Sequence, residues 1–134
     1  MDMETLKQHV TKAREVLEQH HMELSQTFFG HFPNGACGNT SDILSQWLQE
    51  KGFEGLRSVS GIRGETSHGW LELNDTIIDI TSDQFEDGLG AVYIGTDRKF
   101  HDTFLNQRSS NPRMASALGW IYSKFCELIE NSPK

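Results

Sequence analysis

The sequence predicts an α+β domain, with helices toward the two ends of the chain packed on a small antiparallel β-sheet. Three observations predict it. Apolar residues recur at helical spacing near both ends, two alternating runs flank Asn74-Asp75, and 134 residues with 36% hydrophobic content suit one core. Residues 1–134 read as a single domain, with no internal repeat, low-complexity tract or linker.

From Glu4 to about Gln26, Leu6, Val10, Ala13, Leu17 and Leu24 fall on one stripe of a first helix. It ends at Phe28-Phe29-Gly30-His31-Phe32-Pro33, where Gly and Pro stop the helix and the aromatics need a core. A small, polar segment follows until Ile43, Leu44, Trp47 and Leu48 restart the pattern, so a second helix opens at or just after Cys37 and closes at Gly52. Leu56 to Ile62 has a weak strand pattern, and Gly61 and Gly64 bracket a turn. His68 to Leu73, Asn74-Asp75 and Thr76 to Ile80 then read as a hairpin with a two-residue loop. Ala91 to Gly95 is a further strand, and Asp97 to Ser110 a polar loop anchored by Phe100 and Phe104. Asn111-Pro112 suits a helix start, and Ala115, Leu118, Tyr122, Phe125 and Ile129 make the stripe of the last helix.

Twelve Lys and Arg against nineteen Asp and Glu give a formal charge of −7. That balance lacks the basic footprint of a phosphate-backbone binder, so neither nucleic acid nor an anionic membrane is an expected partner. The acidic start has neither a basic n-region nor an apolar h-region, and no window approaches the ~18 apolar residues of a membrane span. The expected location is the cytoplasm. Cys37 and Cys126 are too few for a disulfide framework and are expected as free thiols.

Cys37 stands between Gly35 and Gly38 at a helix start, where little bulk surrounds the sulfur. The unpaired N–H groups and the helix dipole there favour a thiolate and a developing oxyanion. His68 and Asp79 add a base and its orienter through parity. If Asn74-Asp75 is the loop, Leu73 faces Thr76, and His68, Trp70, Glu72, Ile77, Asp79 and Thr81 share one face of the hairpin. Asp79 is then a diagonal neighbour of His68, at ~7–8 Å between backbones, a span the side chains can close to a hydrogen bond. An aspartate between Ile78 and Ile80 also calls for a buried partner. A nucleophile, a base and an orienter are what acyl transfer requires, whereas a packed thiol and a structural His–Asp bond are the plainer reading of the same residues.

Gly35-Ala36-Cys37-Gly38 opening a helix, Ser67-His68-Gly69-Trp70-Leu71-Glu72-Leu73 as a strand and Ile77-Ile78-Asp79-Ile80-Thr81 as the next resemble the papain-like fold, in its transglutaminase-like branch. The resemblance runs from about Pro33 to Phe85. It implies Cys37 as nucleophile, His68 as base and then acid, and Asp79 as the group that orients the imidazole. Papain-like peptidases carry an oxyanion-stabilising Gln shortly before the Cys; here only Asn34 stands nearby, so Asn34, Gly38 and Trp70 are the further candidates for oxyanion support or site lining.

The function expected is a cysteine-dependent acyl-transfer enzyme, a peptidase, amidase, deamidase or transglutaminase, acting through a thioester at Cys37. The short chain favours a shallow cleft and a peptide or protein amide, including a glutamine side chain, as substrate. The alternative is a non-catalytic protein-binding module on the same fold. No cofactor is implied, and no metal: His20, His21, His31 and His101 lack ligand spacing and are expected as solvated or core histidines, and a zinc site of Cys37, His68 and Asp79 has no evident fourth ligand. Gln84 is expected to bond backbone, Phe85 to be core, Cys126 to be packed, and Glu50, Glu54, Glu65 and Glu72 to lie on solvated faces. Oligomeric state is left open.

Overall fold

The computed structural model describes residues 2–35, 37–114 and 116–131; Ala36 of the cysteine motif, Ala115 of the last helical stripe and the side chain of Phe28 lie outside the described residues. The element order is α1 (Met3–Leu24), α2 (Gln26–Phe29), α3 (Cys37–Glu50), β1 (Leu56–Arg63), β2 (Thr66–Leu73), β3 (Thr76–Asp79), β4 (Tyr93–Gly95), β5 (Leu105–Ser110) and α4 (Gly119–Asn131), with short 3-10 turns at Ser82–Gln84, His101–Thr103 and Ser116–Leu118. This is an α+β architecture whose five strands form one antiparallel sheet in the order β4-β3-β2-β1-β5. Among the described residues no helix is long and apolar enough to cross a membrane.

Asp2 caps α1 by accepting the Glu4 N–H, and the helix buries Leu6, Val10, Ala13, Leu17 and Leu24. Arg14, beside that stripe, is buried as well. Its Nη1 and Nη2 hold both oxygens of Asp83 at 2.8 and 2.6 Å, and Nη1 also donates to the Ile80 carbonyl at 2.6 Å. A buried guanidinium is stable only with such pairing, and here it ties α1 to the chain just beyond β3.

The hairpin register has Leu73 opposite Thr76 and Leu71 opposite Ile78, with Asn74 in the left-handed region at φ 56 as the two-residue loop requires. The β1–β2 turn falls at Gly64-Glu65. Gly61, expected at a turn, instead lies inside β1, where a Cβ would sit 2.9 Å from the Cβ of Phe104. Its missing side chain lets Phe104 seat against the sheet.

Two further expectations need correction. Residues 105–110, expected as part of a polar loop, form β5 on the outer edge of β1; every residue of the strand is exposed, so it shows no inside-outside alternation, and a register shift between Ser60 and Ile62 breaks its pairing. The anchors named within that stretch, Phe100 and Phe104, are both buried. Asn111-Pro112 does not open a helix: the Asn111 side chain accepts from Arg57 at 2.6 Å, and α4 begins only at Gly119. Leu118, Tyr122 and Phe125 are nonetheless buried as their stripe predicts.

Candidate active site

The two faces of the sheet carry different interiors. Leu56, Leu71, Leu73 and Ile78 point into the core shared with the helices, whereas Val59, Trp70 and Ile77 face a smaller cluster closed by Phe100 and Phe104 and flanked by Phe85 and Tyr93. His68 and Asp79 belong to this second face, as parity predicts. His68 Nε2 lies 2.6 Å from Asp79 Oδ2, both side chains are almost fully buried, and the Thr81 backbone N–H donates to Asp79 Oδ1 at 2.9 Å.

Cys37 begins α3 and comes from the helical side. The pairing of β2 with β3 runs from Leu73 only to Leu71, so the β2 edge at Gly69 is left without a β3 partner. Cys37, Gly69 and His68 line one cleft at this gap, which puts the thiol within the electrostatic reach of the imidazole and of the Gly69 N–H. With Nε2 committed to Asp79, Nδ1 is the imidazole nitrogen that remains, and Gln84 also approaches it.

The electrostatics follow from these contacts. Burial pushes the Cys37 thiol up, but the hydrogen bond and positive charge of His68, with the Gly69 N–H, outweigh it and hold the thiol below its ordinary value. Burial opposes a charge on His68, yet hydrogen bonds to Asp79 and Cys37 and their negative charges push it up to about 9. Asp79 is also opposed by burial, and hydrogen bonds from His101 and His68 hold it down to about 2. The set therefore favours a thiolate beside an imidazolium, backed by a carboxylate. Cys126 behaves oppositely: burial, reinforced by Glu50 and Glu130, raises its thiol.

Cys37 and His68 open into a cleft of about 700 Å³ lined also by Gly38, Ile62, Asn106 and Arg108. Gly38 thus lines the cleft. Asn34 is exposed in the turn ahead of α3 and is not among the lining residues. Trp70 is buried, with its ring 5.5 Å from that of His68 and its indole N–H donating to Glu72 at 2.9 Å, so it walls the imidazole rather than lining the cleft. Glu72, expected on a solvated face, is largely covered and also bonds Arg98 at 3.1 Å, because the shared hairpin face folds inward. Gln84 bonds the Thr81 carbonyl at 3.0 Å as expected, and the same nitrogen stands 3.4 Å from His68 Nδ1.

Sequence reasoning missed His101 as a member of the site. It is fully buried, and its Nε2 lies 2.7 Å from the same Asp79 oxygen that binds His68. The signal available was its place between Phe100 and Phe104, two aromatics expected to anchor that segment.

His68, Asp79 and His101 make the one group with metal-ligand composition among the described residues. Their nitrogen–oxygen separations of 2.6 and 2.7 Å are those of direct hydrogen bonds. An ion about 2 Å from each donor would hold these atoms farther apart.

Comparison with protein-family models, with curated proteins and with solved structures finds no match to this chain.

Proposed function

We propose that the protein is a cysteine-dependent acyl-transfer enzyme that opens an amide through a thioester at Cys37, on a papain-like, transglutaminase-like core. The observation that carries this reading is the cleft that Cys37 and His68 line together, with the His68 imidazole held 2.6 Å from the buried Asp79 carboxylate. The Cys37 sulfur attacks the amide carbonyl carbon, and the carbonyl electron pair moves onto oxygen at the N-terminus of α3, where unpaired backbone N–H groups favour negative charge. His68 then gives its Nδ1 proton to the departing nitrogen as the carbon–nitrogen bond breaks, leaving the acyl group on sulfur. Water or an amine reverses the sequence, with Nδ1 removing its proton. Asp79 keeps the imidazole oriented and stabilises its charged form. The open cleft suits a peptide or protein amide, including a glutamine side chain, and the reading requires no cofactor.

Iodoacetamide labelling followed against pH, with peptide mapping, tests it. Cys37 should react with a midpoint well below the ~8.5 of a free thiol, and Cys126 only above it. Equal profiles at the two sites would falsify the activated-nucleophile reading.

A further inference from the structure

The Asp79 carboxylate serves two histidines. His68 and His101 both direct Nε2 at Oδ2, at 2.6 and 2.7 Å, while the Thr81 N–H takes Oδ1. A carboxylate only accepts, so each Nε2 carries the hydrogen of its bond. The other nitrogen of His101, Nδ1, is buried with no hydrogen-bond partner. A phenyl ring would fill the same space between Trp70, at 4.7 Å, and Tyr93, at 5.7 Å, without leaving a polar atom unmatched. What the imidazole adds is one donor on Asp79.

We propose that His101 is a positioning residue of this site: its Nε2–H is a second imidazole donor on the Asp79 oxygen that His68 binds, fixes the carboxylate there, and thereby keeps the His68 imidazole aimed at Cys37. The inference rests on the triad reading above. An aspartate carboxylate swivels broadly about its last torsion, and two donors from β2 and its own chain leave that swing open on the His101 side. The third donor comes from a segment that is itself held: the His101 carbonyl accepts from Gln107 Nε2 at 2.9 Å and from the Phe104 N–H at 3.1 Å. The titratable groups facing the histidine pair are Cys37 from α3, Asp79 from β3 and Tyr93 from β4, with Arg63 of β1 stacked beyond the Phe85 and Phe104 rings.

The test compares His101→Gln, whose amide nitrogen reaches the Nε2 position, with His101→Asn, which is polar but too short, and with His101→Phe, which packs without a donor. The pH midpoint of Cys37 alkylation is read at a temperature where circular dichroism shows each variant folded. His101→Asn and His101→Phe should raise it by about one pH unit, and His101→Gln should restore it to the wild-type value. Should His101→Phe fail to fold, the Asn and Gln pair decides. A wild-type midpoint in all variants, or a Gln variant no better than Asn, overturns the proposal and leaves His101 a packing residue. His68→Ala serves as the control: if it too leaves the midpoint unchanged, the triad reading itself falls, whereas a raised midpoint in that control alone removes only the role of His101.

Discussion

The helical face of the sheet and its aromatic face are built on different principles. On the first, Leu71, Leu73 and Ile78 meet Leu6, Leu17, Ile43 and Leu48 in an apolar interior supplied mainly by the helices, mostly aliphatic with Trp47 and Phe125 among its members. On the second, no helix contributes to the cluster among the described residues: Phe100 and Phe104 come from a loop and a short turn, and the interior they close holds His68, Asp79 and His101 among aromatic rings. Aliphatic packing is non-directional and tolerates exchange of shape for shape, while a buried ionised cluster tolerates only donors and acceptors in register. The first face therefore governs whether the chain folds, and the second governs what its thiol can do.

Substitutions that separate the two faces give the largest effects. Cys37→Ala should lower turnover of an amide substrate by at least about 10⁴-fold, while changing stability by about 1 kcal/mol or less, because the thiol sits at a partly open helix start. Leu48→Ala, on the helical face, should do the reverse: a loss of about 2–5 kcal/mol in denaturant unfolding with the Cys37 alkylation midpoint unchanged in the folded fraction. If both changes act mainly on stability, the division between the faces is wrong.

Asp79→Asn should fall between these extremes. The amide can offer its oxygen either to the two imidazole N–H groups or to the Thr81 N–H and must set its own donor against the other, so a rate loss of about 10²–10⁴-fold and a moderate loss of stability are expected together. Rate and thermal melting measured on the same sample check this.

A subtler contrast lies in pH dependence. Asp79, depressed from 3.8 to about 2, contributes stability that is present above pH 3.8 and lost as the pH falls toward 2. His68, raised from 6.5 to about 9, contributes stability that is complete below pH 6.5 and lost as the pH rises through its folded value. In the wild type the lowered Cys37 releases a proton on folding where His68 binds one, so the two slopes offset between the lowered Cys37 value and its ordinary one. Cys37→Ala removes the offset. Its unfolding free energy should decline more steeply than that of the wild type as the pH rises above 6.5, over a range that ends below 9 because Cys37 no longer helps to raise His68, and parallel curves would show that the thiol and imidazole are not coupled.

The smallest effect is expected at Asn34. Exposed and away from the cleft lining, Asn34→Ala should change rate by no more than about twofold. A loss of tenfold or more would return it to the site as an oxyanion donor.

What was legible in the sequence was local and periodic. The register of β2 and β3 followed from a two-residue loop and alternation, and with it the shared face of His68, Trp70, Ile77 and Asp79. The start of α3 at Cys37 followed from the glycines and the renewed apolar stripe. Long-range partners were not legible. Arg14 is one residue beside Ala13 on an ordinary helix, and nothing local marks it as the buried partner of Asp83. β5 is exposed along its whole length, polar after Leu105 and with Asn106 at φ 54, so neither alternation nor propensity distinguishes it from loop. His101 joins Asp79 only because the chain before β5 folds back over the sheet, and that return has no periodic signature.

That return has a consequence for how the site comes into being during synthesis. Cys37 and its helix leave the ribosome early, the His68–Asp79 hairpin later, and the Phe100–Phe104 cover later still, fastened by β5 along β1. A nascent or truncated chain that stops before about residue 110 therefore carries the cysteine and its base while lacking the aromatic cover and the strand that secures it. On the function proposed above, full thiol reactivity would be a late-acquired property of the polypeptide, gained when β5 pairs along β1.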